Sequence, residues 1–266
     1  MSSTRLAVVL VLVVIISAVH AASYLNAALP KKKAPVITDS RGSGGSTETV
    51  AVVGTGKMGS AIAELFCKAG VPVLLTSRDP RKAESKARTL NRRFKQCSVT
   101  GVPNAEAIQQ ASVAILSTPF HGTGDWLLAN KEAIVQNNNN LILVDISNPW
   151  RSGDGIEPTA ELLSGVEQHR QILNHPATHF AQAFKNNFAM RQLQHASGER
   201  KIEFTADAAE SRDRLQRLIQ ATTFKPSFRG LFSDGAAAKL EAEVIQCSCL
   251  FIFSFNEELR TRCGIE

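Results

Sequence analysis

The sequence predicts a doubly wound α/β fold, a parallel sheet with helices on both faces, and three observations predict it. From Val50 onward, short β-branched runs alternate with helical segments. Strands regularly separated by helices imply parallel pairing with right-handed crossovers. The runs VAVV, VAIL and LILV are apolar without alternation, as strands buried on both faces must be. A glycine-rich turn follows the first of these strands directly and opens a helix.

The first strand is TVAVVG. Lys57 to Ala69 is a helix with Met58, Ile62, Leu65, Phe66 and Ala69 on one face and Gly70 as its stop. VPVLLTS is the second strand. The spacing predicts a second helix over Asp79 to Lys95, its apolar face carrying Ala83, Ala87, Leu90 and Phe94. A short third strand lies near Ser98 to Gly101. A helix containing Ile108, the strand SVAILS and a helix around Trp126 to Val135 follow, and NNNNLILVDIS ends in another buried strand. The second half offers QILN as a strand, a helix through Ala181 to Gln194 and the strand KIEFTA. After these come an amphipathic helix from Ala208 to Thr222, a short strand near Lys225 to Phe228 and a last helix from near Asp234. These elements extend the same sheet. The final apolar run CSCLFIFSF is too short to cross a bilayer as a helix and is expected to pack on the sheet or on a second subunit.

A length of 266 residues allows one large domain, or one with an appendage, and 44% hydrophobic residues suit a packed core. The net charge of +6 is mild, and no aromatic residues interleave with basic ones, so no nucleic-acid partner is expected. Basic residues crowd between Arg78 and Lys95, either as a solvated helix face or as an anion site near its start. Five cysteines, an odd number, show no zinc or CxxC spacing. Cys67 reads as a small core residue, and no disulfide framework is expected.

The N-terminus has three readings. Leu6 to Val19 is uncharged, follows Arg5 and ends among the small residues Ala18, Ala21 and Ala22, in the layout of a secretory signal peptide cut after Ala21. A membrane anchor is the second, with Lys31, Lys32 and Lys33 holding the rest of the chain in the cytoplasm. A two-part plastid leader is the third. The expected division is a signal or anchor over 1–22, a flexible or transit-like linker over 23–48, a dinucleotide-binding domain over 49–246 and a tail over 247–266.

The chemistry-bearing segment is VAVVGTGKMGSAIAELF, which sets Gly54, Gly56 and Gly59 in a GxGxxG arrangement between strand and helix. The first glycine permits the tight turn, the second lets backbone approach a pyrophosphate, and the third lets helix and strand pack closely. The anion then sits on free amides at the positive end of a helix dipole. This is a Rossmann-type site, with Gly54, Thr55, Gly56, Lys57, Met58 and Gly59 as its expected contacts. The end of the second strand chooses the cofactor. A carboxylate there binds the ribose hydroxyl of NAD, whereas donors and positive charge suit the 2′-phosphate of NADP. Here Ser77, Arg78 and Lys82 supply the donors, with Arg81 adding field, and Asp79 before Pro80 reads as a helix N-cap. The expected cofactor is therefore NADP(H).

Strand ends on the carboxyl side should line the nicotinamide crevice: Ser117, Thr118 and Pro119 with Phe120 after the fourth strand, and Ser147, Asn148 and Pro149 after the fifth. The catalytic candidates are His121, Asn148 and Lys185, with His121 either a proton donor or a loop histidine without a role. Asp145 reads as a capping or crevice residue. His175 and His179 stand four apart, but there is no third ligand, and no metal site is expected.

Taken together, VAVVGTGKMGSAIA, VLLTSRDPRKA and LILVDISNP at these distances resemble the deazaflavin-dependent NADP oxidoreductase family and the NADPH-binding domain of STEAP-type metalloreductases. The resemblance covers roughly Val50 to Val244 and is strongest before Pro149. It implies that Ser77, Arg78 and Pro80 form the 2′-phosphate segment and that the stretch from Asp145 to Pro149 closes the nicotinamide end. The second half departs from the family. Gln182 stands where lysine is common, Phe184 is kept, Lys185 precedes Asn186, and Lys239 replaces an arginine. These departures fall where the acceptor would be seated and leave it open. Pyrroline-5-carboxylate reductases share the N-terminal fold, but their C-terminal dimerisation domain is not recognisable.

The resemblance implies an NADPH-dependent oxidoreductase moving hydride between NADP(H) and a flavin-like or small acceptor. The alternatives are an imine reductase of the pyrroline-5-carboxylate type and a non-catalytic NADP(H)-binding sensor or scaffold. A crevice open to a second ring system favours flavin chemistry; one plugged by Phe120, Phe184 or Phe188 favours the sensor. A homodimer and membrane attachment through the N-terminal segment are both compatible with the sequence.

Overall fold

The computed structural model describes residues 48–137, 140–149, 164–185 and 201–253, with side chains as far as 244. The segments expected as leader and linker, up to residue 47, together with Asn186, Phe188 and the end of the chain, lie outside the described residues.

The first half alternates strand and helix as expected: β1 (Val50–Val53), α1 (Lys57–Lys68), β2 (Val73–Thr76), α2 (Pro80–Arg93), β3 (Val99–Gly101), α3 (Asn104–Gln110), β4 (Val113–Leu116). Next come α4 (Phe120–Ala129), α5 (Lys131–Val135) and β5 (Ile142–Asp145). The single helix expected around Trp126 to Val135 is thus two, divided at Asn130, whose side-chain amide donates to the Trp126 carbonyl. The second half contributes α6 (Gly165–Leu173), β6 (His179–Ala183), β7 (Lys201–Ala206), α7 (Ala209–Gln220), β8 (Lys225–Leu231), a short 3-10 turn and α8 (Ala236–Phe253).

All eight strands form one sheet in the order β3-β2-β1-β4-β5-β6-β7-β8. The strands from β1 to β6 pair in parallel. β7 runs antiparallel to β6, and β8 follows β7 in parallel, so the sheet is mostly rather than wholly parallel. The sheet is entered at β1, in its interior; the chain then winds outward to β3 and returns through β4. Side chains alternate between two cores. Val50 and Val52 join Ile62, Phe66, Leu90 and Leu218 on one face. Ala51 and Val53 join Ile108, Leu127, Val166 and Leu173 on the other. Both faces are covered, which is why the central strands carry no polar alternation. The described part is therefore doubly wound α/β with a Rossmann-like sheet, as read from the sequence.

Two elements differ from the sequence reading. QILN is not a strand but the last turn of α6. A capping box opens that helix, with Ser164 and Glu167 serving each other's backbone amides, and Asn174 closes it at φ 46. The run beginning at Ala181 is not helical at its start, because Ala181 to Ala183 pair with β5 and β7 inside the sheet. There the tertiary setting overrides helix propensity. At the C-terminal end α8 runs to Phe253, across the expected 246/247 boundary. Among the described residues no helix is long and apolar enough to cross a membrane.

Two tethers were not foreseen. Glu48, placed in the linker by sequence, is part of the fold: Arg214 of α7 donates to its carboxylate at 3.0 and 2.9 Å, and Ser112 donates as well. Burial acts to raise the Glu48 pKa, but the hydrogen bonds from Arg214 and Ser112 and the charge of Arg214 outweigh it and hold the carboxyl below its ordinary value.

The second tether corrects the reading of Cys67 as an unpaired core residue. It forms a disulfide with Cys97, Cα to Cα 4.6 Å, closing a separation of 30 residues. The bond ties the C-terminal end of α1 to the segment beyond α2. Cross-linking a loop of this size restricts the unfolded chain and contributes about 2–4 kcal/mol. Replacing both cysteines by serine is expected to lower the urea midpoint accordingly. Peptide mapping without reductant should recover Cys67 and Cys97 linked, and an intact chain with two free thiols at these positions would refute the tether.

Candidate functional site

The carboxyl edge of the sheet gathers the sequence-predicted residues, beginning with the turn after β1. Gly54 has φ +106, a conformation that favours glycine, and its amide donates to the Thr76 carbonyl at 3.0 Å. A Cβ on Gly59 would stand 2.0 Å from the Gly54 carbonyl oxygen and 2.4 Å from Ser117 Oγ. Gly56 precedes α1, is exposed, and a Cβ built on it meets nothing within 4 Å. No side chain caps α1 and no acid lies in its first turn, so its leading amides face open space beside Gly56. Thr55 is half-buried, Lys57 is exposed, and Met58 packs against the first core.

The end of β2 lies beside this turn. Ser77 Oγ accepts long hydrogen bonds from Thr55 Oγ1 and from the Asp79 amide, each 3.4 Å, which leaves the Ser77 hydroxyl proton uncommitted. The Asp79 carboxylate accepts from the Arg81 amide at 3.1 Å, with Pro80 in the first helical turn. Asp79 is thus the N-cap of α2, as its position before proline suggested. Arg78, Arg81 and Lys82 are all exposed, and none has an ion-pair partner among the described residues. Three exposed cations without an ion-pair partner among the described residues thus follow Ser77 within five positions of the chain.

The loop after β4 is held from within. Ser117 Oγ donates to the Val53 carbonyl at 2.6 Å. Ser117, expected from sequence as a cofactor contact, spends its hydroxyl proton on the glycine turn and fixes its position. Thr118 Oγ1 lies 2.7 Å from Thr123 Oγ1. Pro119 is exposed and precedes α4. His121 is exposed, its ring edge-on to Phe120 at 5.4 Å. Phe120 lies over the His169 ring, centroids 4.5 Å apart, and Phe184 packs its ring on Phe66 in the core.

After β5, Asn148 is 9% exposed. Its Nδ2 donates to the Lys185 carbonyl at 3.1 Å, but its Oδ1 is buried with no hydrogen-bond partner among the described residues. A buried acceptor left unpaired is costly, so this atom marks a place where a donor is wanted. Pro149 follows it directly.

Beneath these loops lies a buried ionic cluster that the sequence reading did not assemble. Asp145 Oδ1 accepts from the Ser147 amide at 2.6 Å and from Ser147 Oγ at 2.7 Å. Its Oδ2 lies 2.6 Å from His169 Nδ1. Lys185 Nζ donates to Glu241 Oε1 at 2.6 Å and to the Ser147 carbonyl, and stands 4.0 Å from Asp145. Glu241 Oε2 accepts from the Gly165 amide at 2.9 Å. Burial alone would raise the pKa of Asp145. The charge of Lys185 and the hydrogen bond and charge of His169 reverse this and hold its carboxyl well below the usual carboxylate range.

This cluster corrects the role read for Lys185. At 3% exposure, its ammonium is spent on buried partners and is not presented to a ligand. Phe184 brings it there: a bulky residue at φ 55 is strained, and this turn aims the next side chain inward. His169 and Glu241 were missed. The capping box at Ser164 and Glu167 marked the helix that carries His169, but nothing local marked its partner. His175 bonds Thr178, and His179 faces Asp207. Among the described residues no group of three or more metal-ligating side chains occurs.

Residues 49–149 match the family model described as "NADP oxidoreductase coenzyme F420-dependent". The F420-dependent NADP reductase of Methanothermobacter marburgensis is 33% identical over 139 residues, 50% of this chain and 60% of that protein. The chain thus spans three fifths of the curated relative it matches. Among solved structures, a hypothetical protein from Sinorhizobium meliloti superposes with a TM-score of 0.57 at 22% identity, over 72% of this chain and 89% of that one. The 3-hydroxyisobutyrate dehydrogenase of Mycobacterium tuberculosis gives 0.54 at 17% identity, over 82% of this chain and 67% of that one. These two likenesses concern the fold alone. The family resemblance read from the motifs holds over residues 49–149.

Proposed function

We propose that this chain, whose residues 49–149 match the F420-dependent NADP oxidoreductase family, is an NADP(H)-dependent oxidoreductase. It moves hydride between the nicotinamide and a deazaflavin-like or other small acceptor. The observation that carries the reading is the end of β2. Ser77 has a hydroxyl proton to give, Arg78, Arg81 and Lys82 are unneutralised, and the nearest carboxylate, Asp79, is occupied as a helix cap. That environment suits a 2′-phosphate and lacks the uncommitted carboxylate with which NAD sites hold the ribose hydroxyl.

The remaining residues fit the cofactor. Gly56 leaves room over the α1 amides for the pyrophosphate, and the buried Asn148 Oδ1 lacks the donor that a carboxamide N–H supplies. Bound there, NADPH provides the hydride itself. The protein's task is to orient and desolvate, with Thr118, Pro119 and Pro149 as walls and the exposed His121 at the rim as the candidate proton donor. Phe184 packs into the core and Phe120 over His169, which favours a crevice that admits an acceptor over a plugged sensor site. The Cys67–Cys97 disulfide favours an oxidising compartment, in keeping with the secretory reading of the leader.

Titration with NADPH and NADH, followed by oxidation assays with a deazaflavin, FMN, ferric chelates and pyrroline-5-carboxylate, tests the proposal. Tighter binding of NADPH and its oxidation by the deazaflavin or FMN are expected. Turnover with pyrroline-5-carboxylate alone would move the assignment to an imine reductase, and tight binding without turnover to a sensor.

A further inference from the structure

We propose that His169, held as an imidazolium within the Asp145–Lys185–Glu241 cluster, is a positioning residue that sets the two loops facing the nicotinamide. The inference rests on the NADP(H) reading above.

The protonation state follows from the partners. His169 Nε2 lies 3.0 Å from the Phe120 carbonyl oxygen, which can only accept, so Nε2 carries a proton. His169 Nδ1 lies 2.6 Å from Asp145 Oδ2. Asp145 already accepts two hydrogen bonds from Ser147 on its other oxygen and has Lys185 at 4.0 Å, so it is an ionised acceptor and Nδ1 carries a proton too. Both ring nitrogens donate, and the ring is a cation. The cluster then holds two carboxylates, Asp145 and Glu241, and two cations, His169 and Lys185. All four side chains are buried. Removing one leaves an unpaired buried charge, which is why such groups act as a unit.

The cluster's outward contacts give it a role beyond packing. Through His169 it holds the Phe120 carbonyl at the start of α4, directly after Thr118 and Pro119. Asp145 holds the Ser147 amide and hydroxyl, and Lys185 holds the Ser147 carbonyl. The Lys185 carbonyl fixes Asn148, whose unpaired Oδ1 awaits a donor. Glu241 ties in the first amide of α6. One buried unit therefore sets the spacing between the β4 loop and the β5 loop, between which the nicotinamide is proposed to lie.

The test uses the full chain. Nitrogen-15 spectra of histidine-labelled protein at pH 8 are expected to show both His169 ring nitrogens protonated; a neutral tautomer would overturn the proposal. His169→Gln is expected to lower kcat for NADPH oxidation by roughly 10–100-fold, the scale of a small misplacement of reactants, while adenosine 2′,5′-bisphosphate binds as to wild type. Ser147→Ala, which removes only one donor to Asp145, should give a smaller fall of the same sign and serves if His169→Gln does not fold. Unchanged kcat in a folded variant refutes the positioning role alone. Failure of wild-type protein to bind NADPH refutes the cofactor reading, and the spectra, which need no cofactor, still report the state of His169.

Discussion

Gly59→Ala is expected to destabilise the dinucleotide-binding half outright, whereas Gly56→Ala leaves the fold intact and removes NADPH binding. The two glycines lie three residues apart in one motif but meet different atoms. A methyl on Gly59 would press on the Gly54 carbonyl at 2.0 Å, and that carbonyl cannot yield easily. Gly54 is fixed by its positive φ, by the hydrogen bond its amide donates to the Thr76 carbonyl and by Ser117, which donates to the Val53 carbonyl immediately before it. Overpacking of this kind costs about 1–3 kcal/mol or more, here with backbone as the obstructed party, so the upper end is expected. Gly56 has φ −65 and ψ −174, which alanine adopts freely, and a Cβ there meets no protein atom. Its variant should melt within about 0.5 kcal/mol of wild type. The methyl would instead fill the approach to the α1 amides, and NADPH affinity is expected to fall at least roughly 100-fold. Urea melts and equilibrium titrations on both variants check the pair. Wild-type affinity in Gly56→Ala would show that the pyrophosphate does not lie over this turn.

That contrast depends on local chemistry, and local chemistry is what the sequence displays. The glycine spacing, the strand before it, the Asp79-Pro80 cap and the exposed cations after Ser77 all lie within short windows, so each was legible before the fold was known. The failures came where distant residues decide. QILN is the exception: its composition is β-like, yet the nearby Ser164 and Glu167 and its own last residue, Asn174 in the left-handed region, make it a helix end. Ala181 to Ala183 read as helical until β5 and β7 enclose them. Lys185 looked like a ligand-facing amine because Glu241, its partner, lies 56 residues away. His169 and Asp145 are 24 apart and belong to different elements, and no pattern in the chain pairs them. The Cys67–Cys97 bond spans 30 residues, and an odd cysteine count conceals a single bridge. The proposed binding half of the site is thus written locally. The buried unit proposed to set its geometry is written only in the fold.

The cofactor preference tests the local half most severely. The double variant with Ser77→Ala and Arg78→Ala is expected to weaken NADPH binding by roughly 100–1,000-fold, since hydrogen bonds to a charged group contribute about 1.5–3 kcal/mol each. NADH lacks the 2′-phosphate and should lose little, so the preference for NADPH collapses or inverts. Two further arms separate this from general damage. Both side chains sit at the surface, Ser77 half-buried and Arg78 exposed, so their removal should leave the melting midpoint nearly unchanged. Wild-type NADPH affinity should fall with added salt more steeply than NADH affinity, because exposed charges are screened. Asp79→Ala addresses the opposite reading. Its carboxylate caps α2 through the Arg81 amide, so its loss should cost about 1 kcal/mol of stability and leave the ratio of the two affinities where it was. Were Asp79 instead a ribose ligand, its removal would depress NADH binding specifically, and the assignment of Ser77 and Arg78 to a 2′-phosphate would have to be abandoned.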